Sequence, residues 1–100
     1  MVVGDMAIHK RGMRLLINEV EVPVTSIEFK LLEALAESPG APVSRQNLYM
    51  RLFGRKAYLE ERALEMIVSR LRKKVGTRSD GDDRIRSIRG EGYMLTEPLQ

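Results

Sequence analysis

Residues 62–76 read RALEMIVSRLRKKVG, and their spacing predicts an amphipathic helix from about Glu60 to Val75. At 100° per residue, five aliphatic side chains fall in one sector of this helix: Leu64, Ile67, Val68, Leu71 and Val75. The opposite sector carries a mainly polar and basic set: Arg62, Met66, Ser69, Arg70 and Lys73. One face of the helix is therefore expected to pack on a core, and the other to face outward.

Positive charge is concentrated in the same segment. Residues 1–61 hold eight basic and eight acidic side chains, so the whole net charge of +3 arises downstream. From Arg62 to Arg78 there are six basic residues against Glu65 alone, a net of +5 (six minus one) in 17 positions. This local field favours a polyanionic partner. A basic helix face that is only solvated is the commoner explanation of a charge run without other context.

The segment that follows, RIRSIRGEGYML at residues 84–95, predicts a β-hairpin. Ile85 and Ile88 alternate with arginine and serine roughly as in a half-buried strand, and Gly90-Glu91-Gly92 tolerates the positive φ of a tight reversal. This arrangement puts Arg89 at the tip of the hairpin. The alternative is an edge hairpin whose arginines only keep it soluble and unpaired.

Two shorter helices are predicted upstream. The first begins at Thr25, because TSIE at 25–28 matches a capping box, and the SPGAP segment at 38–42 ends it. Ser44 caps the second helix and Gly54 stops it. The side chains expected to face inward are Phe29, Leu31, Leu32, Leu35 and Ala36 in the first helix, and Leu48 with Leu52 or Phe53 in the second.

The first 24 residues alternate loosely between apolar and polar side chains. Runs at 6–8, 13–17 and 20–24, separated by KRG and NE, predict three short antiparallel strands. The domain is expected to begin at Met6, with residues 1–5 as a linker remnant. His9 is the only imidazole, and at a strand end beside two basic residues it is expected to be an exposed surface residue without a catalytic role.

Composition excludes several classes of function. One hundred residues fit one small domain, and the absence of Cys excludes disulfides, thiol catalysis and a Cys/His zinc site. No apolar run approaches the roughly 18 residues of a membrane span, so we expect a soluble cytoplasmic protein without a membrane partner. The adjacent carboxylates at 60–61 and 82–83 are better explained by solvation than by acid/base work, so neither an enzyme nor a cofactor is expected.

In their order and spacing, three stretches resemble the DNA-binding effector domain of the OmpR/PhoB family of bacterial response regulators. They are VTSIEFKLLEALAESPGAPVSRQNLYMRLFG, RALEMIVSRLRKKVG and RIRSIRGEGYML. The resemblance covers nearly the whole chain from about Met6. It implies an α+β winged helix-turn-helix fold over residues 6–100, with an N-terminal antiparallel sheet, three helices and a C-terminal β-hairpin wing. In such proteins the third helix enters the major groove of double-stranded DNA, and the wing touches the adjacent minor groove or its phosphates.

The resemblance also implies which residues contact DNA. These are Arg62, Glu65, Met66, Ser69, Arg70, Arg72 and Lys73 on the third helix, and Ser87, Arg89 and Tyr93 in the wing. Where the family often carries Thr-Val-Asp-Val-His-Ile after the arginine, this chain has ALEMIV at 63–68, which leaves fewer hydrogen bonds for bases. Met66 could press on a thymine methyl and Glu65 could accept from a cytosine amine. The alternatives are partial packing of Met66, and an ion pair of Glu65 with neighbours on the Ser69 side or with Arg62.

Partners follow from the same resemblance. A receiver domain that is phosphorylated is expected in the full protein, which makes this chain a fragment, monomeric by itself and paired head to tail on direct repeats of DNA. The loop with Arg55, Lys56 and Tyr58 corresponds to a segment through which relatives touch RNA polymerase, although a plain connector is as good an explanation. The alternative function is a winged helix used for protein contact, with its basic residues facing an acidic partner.

Overall fold

The structure, a computed structural model, describes residues 1–54 and 62–96. The elements are β1 (Val2–Val3), β2 (Met6–His9), β3 (Arg14–Ile17), β4 (Val20–Val22), α1 (Ser26–Ala36), α2 (Arg45–Phe53), α3 (Ala63–Val75), β5 (Ile85–Ile88) and β6 (Gly92–Leu95). The predicted α+β order of sheet, three helices and C-terminal hairpin is confirmed.

The N-terminal sheet has four antiparallel strands in the order β1-β2-β3-β4, one more than the sequence predicts. The additional strand, β1, lies in the segment predicted to be a linker, and it pairs Val2 with Ala7 and Val3 with Met6. Val3 is buried in the core, which gives this two-residue strand an apolar anchor. His9 is exposed, as expected.

The helix starts follow the capping signals in the sequence. Thr25 and Glu28 form the predicted capping box, in which the Glu28 amide donates to the Thr25 hydroxyl at 3.2 Å and the Thr25 amide donates to the Glu28 carboxylate at 2.8 Å. The Ser44 hydroxyl caps α2 by accepting from the Asn47 amide at 3.1 Å. The described part of α3 begins at Ala63; its predicted start at Glu60 lies in residues 55–61, outside the described residues.

The core lies where the three helices and the inner face of the sheet meet. All five aliphatic residues predicted for the inner face of α3 are buried, and so are the five predicted for α1. In α2, Leu52 is buried while Phe53 is only half-buried, which decides between the two alternatives. Tyr49 is also buried there and packs its ring 5.8 Å from that of Phe53, a contact that the apolar pattern of α2 does not predict.

The C-terminal hairpin packs against the rest of the domain through both of its strands. Its register pairs Ile85 with Leu95 and Ser87 with Tyr93, and three of these four side chains are buried. The outer edge of β6 exchanges backbone hydrogen bonds with Val43, in the turn between α1 and α2. The wing is therefore fixed to the body by main-chain pairing as well as by side chains.

Arg84 does not belong to the outward row of arginines that the alternation at 84–88 suggests. It is 7% exposed and donates to the carbonyl oxygens of Val75, the last residue of α3, and of Thr77, two residues beyond it. It also forms an ion pair with Asp5 at 2.7 Å. Arg84 thus turns inward because carbonyl groups and a carboxylate satisfy its charge there, and it is a structural residue.

Candidate nucleic-acid interface

The outer face of α3 is open along the described length of the helix. Met66 is 53% exposed, so its side chain is only partly covered by the domain. Among residues 1–54 and 62–96, no carboxylate forms an ion pair with the basic side chains of this face. The five residues predicted for it are all exposed: Arg62, Met66, Ser69, Arg70 and Lys73.

Other cations of the basic run are paired within the domain. The ammonium of Lys74 lies 2.5 Å from the carboxylate of Glu28. Burial of Glu28 favours its neutral form, but the hydrogen bonds from Lys74 and from the Thr25 amide outweigh it and lower the pKa of Glu28. Arg78 similarly contacts Asp80 and Asp82, and its hydrogen bond lowers the pKa of Asp80.

Glu65 faces α2. Its carboxylate forms an ion pair with Arg45, and the hydroxyl of Tyr49 lies 3.4 Å from its second oxygen. Burial and then the nearby charge of Glu65 raise the pKa of Tyr49. Glu65 does form an ion pair, but the alternative that named Arg62 as its partner is wrong. In the described structure the partner is Arg45, which lies on α2. Both carboxylate oxygens of Glu65 thus have a contact on α2.

Arg72 connects α3 to the wing. Its Nε donates to the carbonyl oxygen of Ile85 at 3.1 Å, and its Nη2 donates to the hydroxyl of Ser87 at 2.6 Å. Its guanidinium lies 5.7 Å from the ring centroid of Tyr93. Three of the predicted DNA-contacting residues, Arg72, Ser87 and Tyr93, thus contact one another, and Tyr93 is only 7% exposed.

Arg89 is exposed at the turn of the wing, between β5 and β6. The turn is closed by a 2.9 Å hydrogen bond from the Glu91 amide to the Ile88 carbonyl, and Gly90 has a φ of 77°. A cleft of about 400 Å³ lies between this hairpin and the start of α2, and Arg45 and Arg89 both line it. The wing tip and the start of α2 thus line one surface cleft, and Arg45 at the start of α2 also reaches Glu65 on α3.

The structure separates the predicted residues into two groups. One group presents exposed side chains: Arg62, Met66, Ser69, Arg70, Lys73 and Arg89. The other group forms side-chain contacts within the domain, although Ser87 is also exposed: Glu65, Arg72, Ser87 and Tyr93. The loop residues Arg55, Lys56 and Tyr58 lie outside the described residues. Arg45 joins the surface without having been predicted, because its partner Glu65 is 20 positions away and no local pattern links the two.

Comparisons with known proteins show the family and the fold of the chain. The family profile described as "Transcriptional regulatory protein, C terminal" matches residues 19–95. The phosphate regulon transcriptional regulatory protein PhoB of Rhizobium meliloti (strain 1021) is 38% identical over 92 residues, which are 92% of this chain and 40% of that protein. The transcriptional regulatory protein CpxR of Escherichia coli (strain K12) is 38% identical over 72 residues, which are 72% of this chain and 31% of that protein.

Solved structures with the same fold include two DNA-binding domains. That of CpxR from E. coli has a TM-score of 0.87 and 28% identity, and the match covers 97% of this chain and 95% of that one. That of RstA from Klebsiella pneumoniae, in complex with the RstA box, has a TM-score of 0.83 and 25% identity, and the match covers 96% and 95%. The chain thus spans nearly all of these isolated domains, but less than half of the curated relatives named above.

In the part of the chain that the structure describes, none of the helices is long and apolar enough to cross a membrane. Nor does this part contain a group of three or more His, Cys, Asp or Glu side chains that could hold a metal ion.

Proposed function

The chain belongs to the family of C-terminal DNA-binding domains of OmpR/PhoB-type transcriptional regulators, and from this premise we propose that it binds double-stranded DNA in a sequence-specific manner to control transcription. In this proposal α3 enters the major groove and the wing lies at the adjacent minor groove. Support comes from the RstA domain of similar fold, whose structure was solved with the RstA box.

The observation that carries the proposal is the exposed face of α3. A helix that buries five aliphatic residues on one side holds a straight row of cations and small or flexible side chains on the other. In the described structure, Arg70 and Lys73 of this row have no carboxylate partner. Their cationic groups are therefore available to contact a phosphate or the edge of a base. The wing is fixed beside the row and presents Arg89 from a short turn.

Different residues of this surface are assigned different tasks. Arg70, at the centre of the row, is the candidate for a bidentate contact to guanine O6 and N7, and Met66 for an apolar contact to a thymine methyl. Arg62 and Lys73, nearer the two ends of the row, are assigned to phosphates. Arg89 is assigned to the minor groove, because narrow A/T-rich grooves carry an enhanced negative potential that attracts a guanidinium.

The whole protein's activity is a further proposal, since the chain spans only 31–40% of the curated relatives named above. We propose that the domain works in the bacterial cytoplasm as the effector part of a two-component response regulator with a receiver domain. Two such domains would bind direct repeats head to tail. A contact of residues 55–58 with RNA polymerase is proposed by the same analogy, and the function includes no catalytic step.

Selection of bound duplexes from a random pool would identify the preferred site, and affinity would then be measured over a series of salt concentrations. We expect binding to weaken steeply with salt, because each neutralised phosphate adds about −0.9 to the slope of log K against log salt. Arg70→Ala should cost about 1–3 kcal/mol more on the selected site than on a random duplex. Arg14→Ala, which removes a cation from the N-terminal sheet, is the matched control and should leave both affinities unchanged.

One result would count against this function, and another against the role given to Arg70. Failure of the domain to bind any duplex at low salt would favour the alternative of a winged helix that contacts an acidic protein. Equal losses for Arg70→Ala on both duplexes would leave DNA binding intact but reduce Arg70 to a phosphate contact.

A further inference from the structure

One side chain joins the two surfaces that the proposed function assigns to DNA. Arg72 leaves α3 near its C-terminal end and contacts both strands of the wing. On β5 it donates to the carbonyl oxygen of Ile85 and to the hydroxyl of Ser87, at 3.1 and 2.6 Å. On β6 its guanidinium lies 5.7 Å from the ring centroid of Tyr93, within cation–π range.

The wing is a two-stranded ribbon, so each strand has an outer edge whose backbone groups need partners from elsewhere. On β6, Tyr93 donates to and accepts from the backbone of Val43, at 3.1 and 2.7 Å. On β5, the outward carbonyl of Ile85 accepts from Arg72. The turn before α2 therefore holds one edge of the wing, and a side chain of α3 holds the other.

We propose that Arg72 is a positioning residue, which fixes the wing relative to α3 and thereby places Arg89 at the DNA. Its contact with Ser87 lies two residues before Arg89, about 7 Å along an extended strand. A planar guanidinium suits this task, because its donors form a rigid fork that can bond a carbonyl and a hydroxyl together while the same plane faces an aromatic ring. This inference rests on the proposed DNA binding, and it gives Arg72 a role other than the direct DNA contact implied by the resemblance.

A double-variant cycle on the selected duplex tests the proposal. Arg72→Lys keeps the positive charge but loses the fork, so we expect binding to weaken by about threefold or more, and by much less when Arg89→Ala is already present. Ser87→Ala removes the 2.6 Å hydrogen bond without changing any charge, and it should show the same dependence on Arg89. Arg70→Ala is the matched control. Because Arg70 does not contact the wing in the described structure, the factor by which Arg70→Ala weakens binding should be the same with or without Arg89→Ala.

The free domain offers a second readout that does not depend on DNA. Backbone amide relaxation of Gly90 should report larger fast motion of the wing tip in Arg72→Lys and in Ser87→Ala than in Arg70→Ala. Thermal unfolding of each variant, followed by circular dichroism, shows whether the domain is folded under the conditions of the measurement.

A phosphate contact would give a different set of results. Arg72→Lys would then bind like the wild type, and Arg72→Gln would lower the salt slope by about 0.9 and lose the same factor with or without Arg89. That outcome, with unchanged relaxation of Gly90, would overturn the proposal. If the wild-type domain bound no duplex, the proposed function would fail instead, and the relaxation of Gly90 would still decide whether Arg72 holds the wing.

Discussion

Gly92→Ala should detach the wing from the body of the domain, because this glycine lies against the turn that precedes α2. A Cβ at Gly92 would overlap the carbonyl oxygen of Val43 and lie 2.9 Å from its carbonyl carbon. The φ of Gly92 is 134°, a value that residues with side chains rarely adopt. The added methyl group therefore has no space unless β6 moves away from Val43.

The cost follows from the contacts that this movement breaks. Tyr93 and Val43 exchange two backbone hydrogen bonds, each contributing about 0.5–1.5 kcal/mol. Strain at a φ suited to glycine adds about 1–3 kcal/mol, so Gly92→Ala should lower the free energy of unfolding by roughly 2–6 kcal/mol. That is a large part of the about 5–15 kcal/mol that holds a typical domain together.

Gly90→Ala is the matched control. Gly90 is in the same hairpin and also has a positive φ, of 77°, but a Cβ there meets nothing within 4 Å. Its cost should be confined to backbone strain of about 1–2 kcal/mol. Urea unfolding of both variants and the wild type, followed by circular dichroism, gives the two differences. Equal losses for Gly90→Ala and Gly92→Ala would refute the role of the close approach to Val43.

Three further changes test other parts of the domain. Leu71→Ala should lower the free energy of unfolding by about 2–5 kcal/mol, since Leu71 is fully buried on the inner face of α3. An unchanged thermal midpoint would mean that Leu71 does not face the core. Arg89→Ala should weaken binding more on a duplex with A/T-rich flanks than on one with G/C-rich flanks around the same core site, and a loss independent of the flanks would indicate a phosphate contact. Glu28, whose pKa is lowered in the folded domain, contributes stability that is fully present above its ordinary pKa of 4.5 and is lost as the pH falls through its lower folded value. Acid titration of unfolding in Glu28→Gln should therefore show a shallower loss of stability below that pH than the wild type, and parallel curves would mean that the titration of Glu28 contributes nothing to the acid loss.

The features that the sequence predicts well are local ones. The capping box at Thr25 requires residues three positions apart, and the inner face of α3 repeats at the period of a single helix, so both are encoded within one element. The hairpin is likewise predicted from the alternation of apolar and polar side chains and from two glycines, all within twelve residues. Each of these features can be predicted because the interaction that produces it joins residues that are close together in the sequence.

The features that the sequence does not predict join distant residues or very short elements. The ion pair of Asp5 with Arg84 spans 79 positions, and the inward turn of Arg84 depends on carbonyl groups that only the folded chain brings together. Strand β1 has two residues, too few for an alternation to be recognised. Glu65 finds Arg45 on another helix, so the sequence can show that Glu65 is on the basic helix but not which cation it meets.

These pairings decide where the positive charge of the domain is available. The basic run looks uniform in the sequence, but Lys74 is held by Glu28 and Arg78 by its own loop, so neither adds much to the field on the outer face of α3. Glu65 would oppose that field, yet its charge is matched by Arg45 beside it. In the part of the chain that the structure describes, Arg70, Lys73 and Arg89 are exposed cations without a carboxylate partner, so positive charge is available on α3 and at the wing tip. A net charge of only +3 is thus compatible with a local attraction for a polyanion, because several of the other charges are paired within the domain.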